Sequence, residues 1–228
     1  MNYKKIALQL ILPTALIITS LGFTQTVYVD VATERGLMSK SVSAKVNASG
    51  SPYIEEDFKP VRIKGYDNQI YSGRYNGYNG EMEINLGGDK LIALDTNAEV
   101  EVIFTTTNKV YKTFSYETDR GYTKRGFLAV VDEGENYSLL KEEIIKYYEG
   151  EKATSSYERD KPAKFRREDD KYYLSANGET KFLPQREKDL LKAFPKNSKA
   201  IKGYIKSNKL KTKKEEDLTK VAAYIATL

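Results

Sequence analysis

The stretch YSGRYNGYNGEMEINL, Tyr71–Leu86, indicates how this chain folds. It contains two Asn-Gly pairs, Asn76-Gly77 and Asn79-Gly80, and both residue types accept the left-handed backbone conformations of a tight turn. The flanking segments, Tyr71–Tyr75 and Glu81–Leu86, can pair across that turn. The stretch therefore predicts a β-hairpin.

The same pattern of short runs closed by turn residues continues from Ser51 to Leu183. The runs recur about every ten residues, and Gly, Asn, Asp or Pro follows each of them. This spacing predicts a mainly β domain over residues 51–183, an antiparallel meander, a sandwich or an open barrel. The predicted strands are Pro52–Phe58, Val61–Ile63, Gln69–Tyr75, Glu81–Leu86, Lys90–Leu94, Val100–Thr105, Lys109–Tyr116 and Tyr122–Val131.

Three further turns have clear signals. Glycines in Asn85–Asp89 and Asp132–Gly134 are expected where the backbone needs a positive φ, and Asn177-Gly178 is a strong hairpin signal.

The run Tyr137–Tyr148 fits two structures. One face of a helix could contain Leu140, Ile144, Tyr147 and Tyr148, but the β-branched and aromatic content favours a strand. The next segment, Ala153–Asp170, is polar and charged, and it is expected to be an exposed connection before a strand at Lys171–Leu174.

The period changes to that of a helix after residue 183, so residues 184–228 are predicted to form a small helical appendage. Its predicted helices are too short to be stable alone, and they must pack on one another or on the β domain. Thr212 and Glu215 have the spacing of a capping box at the start of the last helix. The three predicted helices are Pro184–Phe194, Asn197–Lys206 and Thr212–Ala226.

The N-terminus has the order of segments found in a secretory signal peptide. Lys4 and Lys5 precede an apolar run, and small residues follow it, which predicts a signal peptide over residues 1–25 with cleavage between Gly22 and Thr26. A membrane anchor is the alternative, but the run is short and contains Pro13. The expected location is the periplasm or cell envelope, or the medium, with no transmembrane segment in the mature chain. Residues 26–50 are predicted to be an irregular lead-in.

The composition restricts the chemistry that this chain can perform. It contains no Cys, His or Trp, so disulfides, Cys-His or Ser-His-Asp catalysis, zinc sites of the usual kind and haem ligation are excluded. The acidic pairs, such as Asp169-Asp170, Asp67-Asn68 and Asp132-Glu133, do not match the calcium-loop pattern. No metal, cofactor or catalytic residue is predicted, and the chain is not expected to be an enzyme.

The candidate ligand-binding residues are Arg74, Tyr75 and Tyr78. Aromatic rings beside an arginine near a turn can stack on a sugar or hold a side chain of a partner. The alternative is that these residues only cover a twisted sheet.

Carboxylates suggest a second, enzymatic hypothesis. Glu81 and Glu83 should point to one face of a strand, and Asp95, Glu99 and Glu101 follow in the next region. Two carboxylates at a suitable separation could hydrolyse an envelope glycan. Charged residues at alternate positions are also typical of a solvated sheet face, which is the preferred interpretation.

The C-terminal region is basic. Residues 185–228 contain twelve Lys and Arg against five Asp and Glu, and five lysines cluster between the last two predicted helices. Such a segment could bind polyanions or an anionic membrane surface, or it could dock on the acidic β domain of the same chain, which is favoured. Nucleic acid is not an expected partner. The lysines are Lys206, Lys209, Lys211, Lys213 and Lys214.

Several short segments carry a resemblance to known proteins. They are Ser51–Phe58, Arg74-Tyr-Asn76 with Glu81-Met-Glu83, Leu94-Asp95, Lys161–Phe165 before Tyr172-Tyr173, Asp189-Leu-Leu191 and Glu215–Leu218. In these segments the chain resembles a family of uncharacterised exported proteins of Gram-negative bacteria. The resemblance implies export, a β-rich body with a short helical C-terminal tail, and a strand at Tyr137–Tyr148, but no activity or ligand.

These observations together predict an exported, non-enzymatic binding or structural module of the periplasm or cell envelope. Its expected partner is another envelope protein or a glycan. The alternatives are a carboxylate-dependent glycan hydrolase and a polyanion or membrane-surface binder.

Overall fold

The computed structural model describes residues 38–42, 46–66, 69–88, 90–153, 157 and 159–228. The predicted signal peptide, most of the predicted lead-in and the pair Asp67-Asn68 lie outside the described residues. The mainly β fold with a small helical C-terminal appendage is confirmed. The strands are β1 Met38–Ser41, β2 Lys59–Ile63, β3 Tyr71–Asn76, β4 Glu81–Asn85, β5 Leu91–Leu94, β6 Glu101–Phe104, β7 Lys109–Glu117, β8 Thr123–Glu133, β9 Tyr137–Glu142, β10 Ile145–Tyr148, β11 Lys164–Arg167, β12 Lys171–Ala176 and β13 Glu179–Leu183. The helices are α1 Glu187–Ala193, α2 Ser198–Ser207 and α3 Glu215–Ile225.

Eleven strands form one sheet, in the order β1-β5-β4-β3-β2-β6-β7-β13-β12-β9-β8. Strand β7 also pairs with β8, so the last five strands close into a small barrel. The pairs within the sheet are antiparallel except β7 with β13, which is parallel. Strands β10 and β11 form a separate two-stranded sheet.

The barrel has a packed interior. Neighbouring strands bring Leu140, Tyr173 and Phe182 side by side, because Tyr173 lies opposite both of the others. All five barrel strands contribute to this cluster, as expected for the interior of a small barrel. Its members are Phe114, Tyr116, Leu128, Val130, Leu140, Tyr173 and Phe182.

Both outer sides of the barrel are covered. On one side, Tyr111, Phe127 and Ala129 alternate with the interior residues and pack against strands β2–β6. On the other side, Leu139, Tyr172 and Leu183 pack against the three helices. The structure thus confirms the expectation that the helices pack on one another or on the β domain, and it shows that they do both.

The contact between the helices and the barrel is apolar rather than electrostatic. Leu190, Ile201 and Leu218 are completely buried in it. The ion pair that joins the two parts has its acid on the helical side, Glu215, and its base on the barrel, Lys141, with 2.7 Å between Oε2 and Nζ. The helical tail therefore docks on the β domain as expected, but the expectation that its basic residues hold it there is wrong.

Several local predictions are confirmed. The run Tyr137–Tyr148 forms strands β9 and β10, with a break at Glu143 and Ile144. Asn177 and Gly178 have φ values of 52° and 79°, as a two-residue hairpin turn between β12 and β13 requires. Gly87 and Gly88 also have positive φ.

Other local predictions are wrong. Residues 52–58 are bent and form a single isolated bridge, from Tyr53 to Asn76, instead of a strand. The predicted exposed connection Ala153–Asp170 contains β11, which pairs with β10. In the other predicted turns, only some glycines adopt a positive φ. Gly80 has a φ of 71°, whereas Gly77 and Gly134 do not adopt positive φ.

The predicted capping box is also absent from α3. Its N-cap is Lys214, which makes no side-chain cap. The Thr212 hydroxyl donates to the Gln185 carbonyl at 2.7 Å, and Glu215 accepts hydrogen bonds from Lys141 and Tyr172. The side chains of Thr212 and Glu215 therefore bond to other parts of the chain instead of to the backbone amides at the start of α3. None of the helices in the described ranges combines the length and apolarity needed to cross a membrane.

Candidate functional site

The β3–β4 hairpin has one polar face and one apolar face. Arg74 lies directly opposite Glu83, and Asn76 lies opposite Glu81, so these four side chains share a face. The residues between them point the other way and belong to the main core; they are Tyr71, Tyr75, Met82 and Ile84.

The polar face is buried, which corrects the interpretation of Glu81 and Glu83 as part of a solvated face. The exposed fractions of the two residues are 5% and 0%. Glu83 accepts hydrogen bonds from Nε of Arg74 at 3.0 Å and from Nδ2 of Asn76 at 3.2 Å. A buried carboxylate is tolerated because a cation and a second donor satisfy it.

The bent segment 52–58 covers this face. Arg74 donates from Nη2 to the Tyr53 hydroxyl at 2.6 Å and from Nη1 to the Glu56 carbonyl at 3.2 Å. Its guanidinium carbon lies 3.5 Å from the centroid of the Tyr53 ring and 4.2 Å from that of Phe58. Arg74 therefore uses its donors to fix the covering segment in place.

Hydrogen bonds to Asn76 and the segment 52–58 hold the hairpin turn rigidly. Oδ1 of Asn76 accepts hydrogen bonds from the backbone amides of Tyr78 and Asn79, both at 3.1 Å. The Tyr78 amide also donates to the Pro52 carbonyl at 3.2 Å. A Cβ on Gly77 would lie 2.8 Å from Cδ1 of Ile54 and 3.3 Å from the Glu143 carbonyl oxygen, so a larger residue there would displace its neighbours. Because the backbone is fixed, the side chains of Tyr78 and Asn79 have fixed starting points at the surface.

A groove with a volume of about 510 Å³ runs beside this turn. Three aromatic residues line it, Tyr53, Tyr78 and Phe165, together with four polar residues, Glu56, Arg74, Asn76 and Asn79. The centroids of the Tyr78 and Phe165 rings are 5.2 Å apart, and Tyr78 is 43% exposed. Volumes of roughly 300–1,000 Å³ are typical of small-ligand sites, and a mixture of aromatic and sparse polar groups is their usual lining.

The three sequence-predicted site residues have different environments. Arg74 and Tyr78 both line the groove. Tyr75 lies on the opposite face of the hairpin, 4% exposed, with its ring centroid 4.7 Å from that of Tyr111. Burial, together with the negative charges of Glu142 and Glu143, raises the pKa of Tyr75. Sequence reasoning did not find Tyr53, Asn79 or Phe165 as groove residues.

A second, smaller cavity of about 150 Å³ bears on the hydrolase hypothesis, because Glu142 and Glu143 both line it. Burial by itself would raise the pKa of each carboxyl. For Glu143 the charge and hydrogen bond of Lys109 act together with Tyr111 and Arg167 to outweigh burial. For Glu142, Lys124 acts together with two tyrosine hydroxyls, so both pKa values are lowered. A general acid for glycoside hydrolysis needs a raised pKa instead.

The other predicted carboxylates do not share a cavity with Glu81. Glu101 is paired with Lys64 and Lys112, at 3.4 and 3.6 Å, and Asp95 accepts a hydrogen bond from the Asn97 amide at 2.8 Å. Glu81 lines a cavity of about 110 Å³ to which Asp95, Glu99 and Glu101 do not contribute. Across the described ranges, no group of three or more acidic side chains is placed to hold a metal ion.

The fold and the site define a mainly β protein with a small five-stranded barrel, a helical C-terminal appendage and an aromatic groove at a hairpin turn. No protein-family model, curated protein or solved structure matches the chain.

Proposed function

We propose that this protein is an exported, non-enzymatic binding module of the periplasm or cell envelope, and that the groove binds a glycan. The observation that carries the proposal is the position of Tyr78 and Asn79 on a rigid turn, with Tyr78 43% exposed, above a groove with two further aromatic rings. The order of segments at the N-terminus supports export.

The chemistry of the groove suits sugar rings. A tyrosine offers an apolar ring that can stack on the C–H face of a sugar, and a hydroxyl that can hydrogen-bond to it. The side chain of Asn79 is exposed at the mouth and offers both a donor and an acceptor. Arg74 contacts the Tyr53 ring and hydroxyl and so holds this ring in the groove, rather than binding the ligand itself.

The groove supports binding better than the second cavity supports hydrolysis. The carboxylates of Glu142 and Glu143 accept hydrogen bonds from Tyr, Lys and Arg side chains, which stabilise the charged forms. A hydrolase would release new reducing ends from a glycan with which it is incubated. We expect binding without such release.

The test compares two tyrosine variants by calorimetric titration with soluble peptidoglycan fragments and chitooligosaccharides. Tyr78→Ala should weaken binding at least about tenfold, because exposed aromatic anchors carry much of the energy of a binding site. Tyr157→Ala is the matched control, since Tyr157 is 99% exposed and does not line the groove. Equal binding by both variants, or no binding of either glycan series by the unmodified chain, would overturn the proposal.

A further inference from the structure

The surface of the helical appendage carries a long segment of uncompensated positive charge. Residues 196–214 contain eight lysines and no Asp or Glu. We name these residues the lysine segment. All eight lysine side chains are exposed. They are Lys196, Lys199, Lys202, Lys206, Lys209, Lys211, Lys213 and Lys214.

None of these eight lysines lies within 4 Å of a carboxylate of the described residues. Lysines of the barrel differ: Lys109, Lys124 and Lys171 each have a carboxylate partner at 2.6–2.9 Å. The positive charge of the lysine segment is thus available to a partner outside the chain.

Three acids, Glu215, Glu216 and Asp217, directly follow the lysine segment, and the side chains of Glu215 and Asp217 are used elsewhere. Glu215 faces the barrel, where it accepts hydrogen bonds from Lys141 and Tyr172, both at 2.7 Å. Asp217 accepts a hydrogen bond from the backbone amide of Lys211 at 2.9 Å and pairs with Lys220 at 3.6 Å. Neither carboxylate neutralises the side chains of the lysine segment.

The fold fixes this segment at the surface. Helix α2 buries Ile201 and Ile205, and Lys199, Lys202 and Lys206 follow one another at helical spacing on another face. The connection to α3 is ordered as well, because the Leu210 amide donates to the Ile205 carbonyl at 3.0 Å. The lysines of α2 and those of the connection to α3 are therefore held together on the helical appendage.

The character of the segment indicates an extended, fluid anionic surface as its partner. None of its lysines lines any of the cavities described above, so its charge is spread out and not focused on a compact anion. It contains no arginine for bidentate recognition, and its aromatic residue, Tyr204, is stacked on Tyr224 with ring centroids 4.1 Å apart. Long-range attraction without shape recognition is how lysine-rich segments bind anionic headgroups.

We propose that the lysine segment binds the protein to the surface of an anionic phospholipid bilayer, without insertion. This proposal is independent of the groove, which lies on the hairpin β3–β4 and not on the helical appendage.

The experiment measures co-sedimentation of the mature chain, residues 26–228 without the predicted signal peptide, with vesicles of phosphatidylcholine, with and without phosphatidylglycerol. The test variant replaces Lys202, Lys206, Lys209 and Lys213 by Gln. The control variant replaces four exposed lysines of the β body, Lys64, Lys146, Lys152 and Lys164, by Gln, so both variants lose the same net charge. Substitutions at exposed positions leave the fold intact, and equal melting temperatures check this.

We expect binding to the phosphatidylglycerol vesicles alone, decreasing as salt is added. The test variant should bind at least about a hundredfold more weakly than the unmodified chain, and the control variant much less so, because each lysine near such a surface contributes separately. Equal losses in the two variants would show that net charge is responsible and would overturn the proposal. So would equal binding to both kinds of vesicle, or retention on heparin without binding to any vesicle.

Discussion

The β3–β4 hairpin and the helical appendage both interleave charged and apolar residues, yet they place their charges in opposite ways. The hairpin buries Arg74 and Glu83 under the segment 52–58, and its two faces are both covered. The helices bury only apolar side chains, such as Leu190 and Leu218, and their lysines remain in solvent. The difference shows that the alternating sequence pattern of a strand does not predict whether its polar face is covered. The pattern of an amphipathic surface helix does predict which side is buried.

This comparison predicts that the hairpin depends on its buried ion pair. Replacing Glu83 by Ala should lower the free energy of unfolding by about 3–5 kcal/mol, because Arg74 would remain buried without its partner. The effect can be measured by urea unfolding. Glu99→Ala is the control, since Glu99 is exposed, and it should change the stability by less than about 0.5 kcal/mol. Similar values for both variants would show that the hairpin does not need the pair.

The appendage should depend on apolar packing instead. Leu218→Ala should cost about 2–5 kcal/mol, the usual range for a completely buried leucine, as measured by the same unfolding experiment. Leu228 is 50% exposed, and Leu228→Ala provides the matched control with a small expected effect. If Leu218→Ala were as mild as the control, the helices would not be packed on the barrel as described.

Acid should weaken the ionic clusters around Glu142 and Glu143, whereas the described residues of the apolar contact between the helices and the barrel include no group that titrates in the acid range. The pKa values of Glu142 and Glu143 are lower in the folded chain than their ordinary value of about 4.5, so the unfolded chain binds more protons in this range. Their stabilisation is complete above about pH 4.5 and is lost as the pH falls through the folded-state values. Urea unfolding at a series of pH values should show this slope, and Glu143→Gln should reduce it. An unchanged slope in the variant would contradict the assignment.

The ion pair between the appendage and the barrel should contribute least. The side chain of Glu215 is 40% exposed, so solvent screens its interaction with Lys141. Glu215→Gln should change the free energy of unfolding by less than about 1 kcal/mol. A loss as large as that of Leu218→Ala would mean that charge, and not apolar packing, holds the appendage.

Much of the fold could be predicted from local patterns. The hairpin at residues 71–86 and the three helices follow from periodicity and turn residues within short windows. The strands within Tyr137–Tyr148 are favoured by β-branched and aromatic content instead. Strand β11 could not be predicted in this way, because Lys164–Arg167 is mostly charged and is a strand only by pairing with β10. Segment 52–58 has the composition of a strand, but its contact with Arg74 bends it across the hairpin.

The groove was only partly predictable for the same reason. Tyr78 could be found because a local signal, the repeated Asn-Gly pair, places it at a turn. Tyr53 and Phe165 come from distant parts of the chain and reach the groove only through tertiary contacts. Tyr75 could not be separated from Tyr78 without the hairpin register, which points it into the core.

The most direct test of the central claim, that the groove at the hairpin turn binds a glycan, is a titration of ¹⁵N-labelled protein with soluble peptidoglycan fragments, followed by amide chemical shifts. We predict that the largest shifts occur at Tyr53, Tyr78 and Phe165, and Tyr53 and Phe165 line the groove but not the second cavity. Shifts centred on Glu142 and Glu143 instead, or no shifts anywhere in the spectrum, would contradict the account.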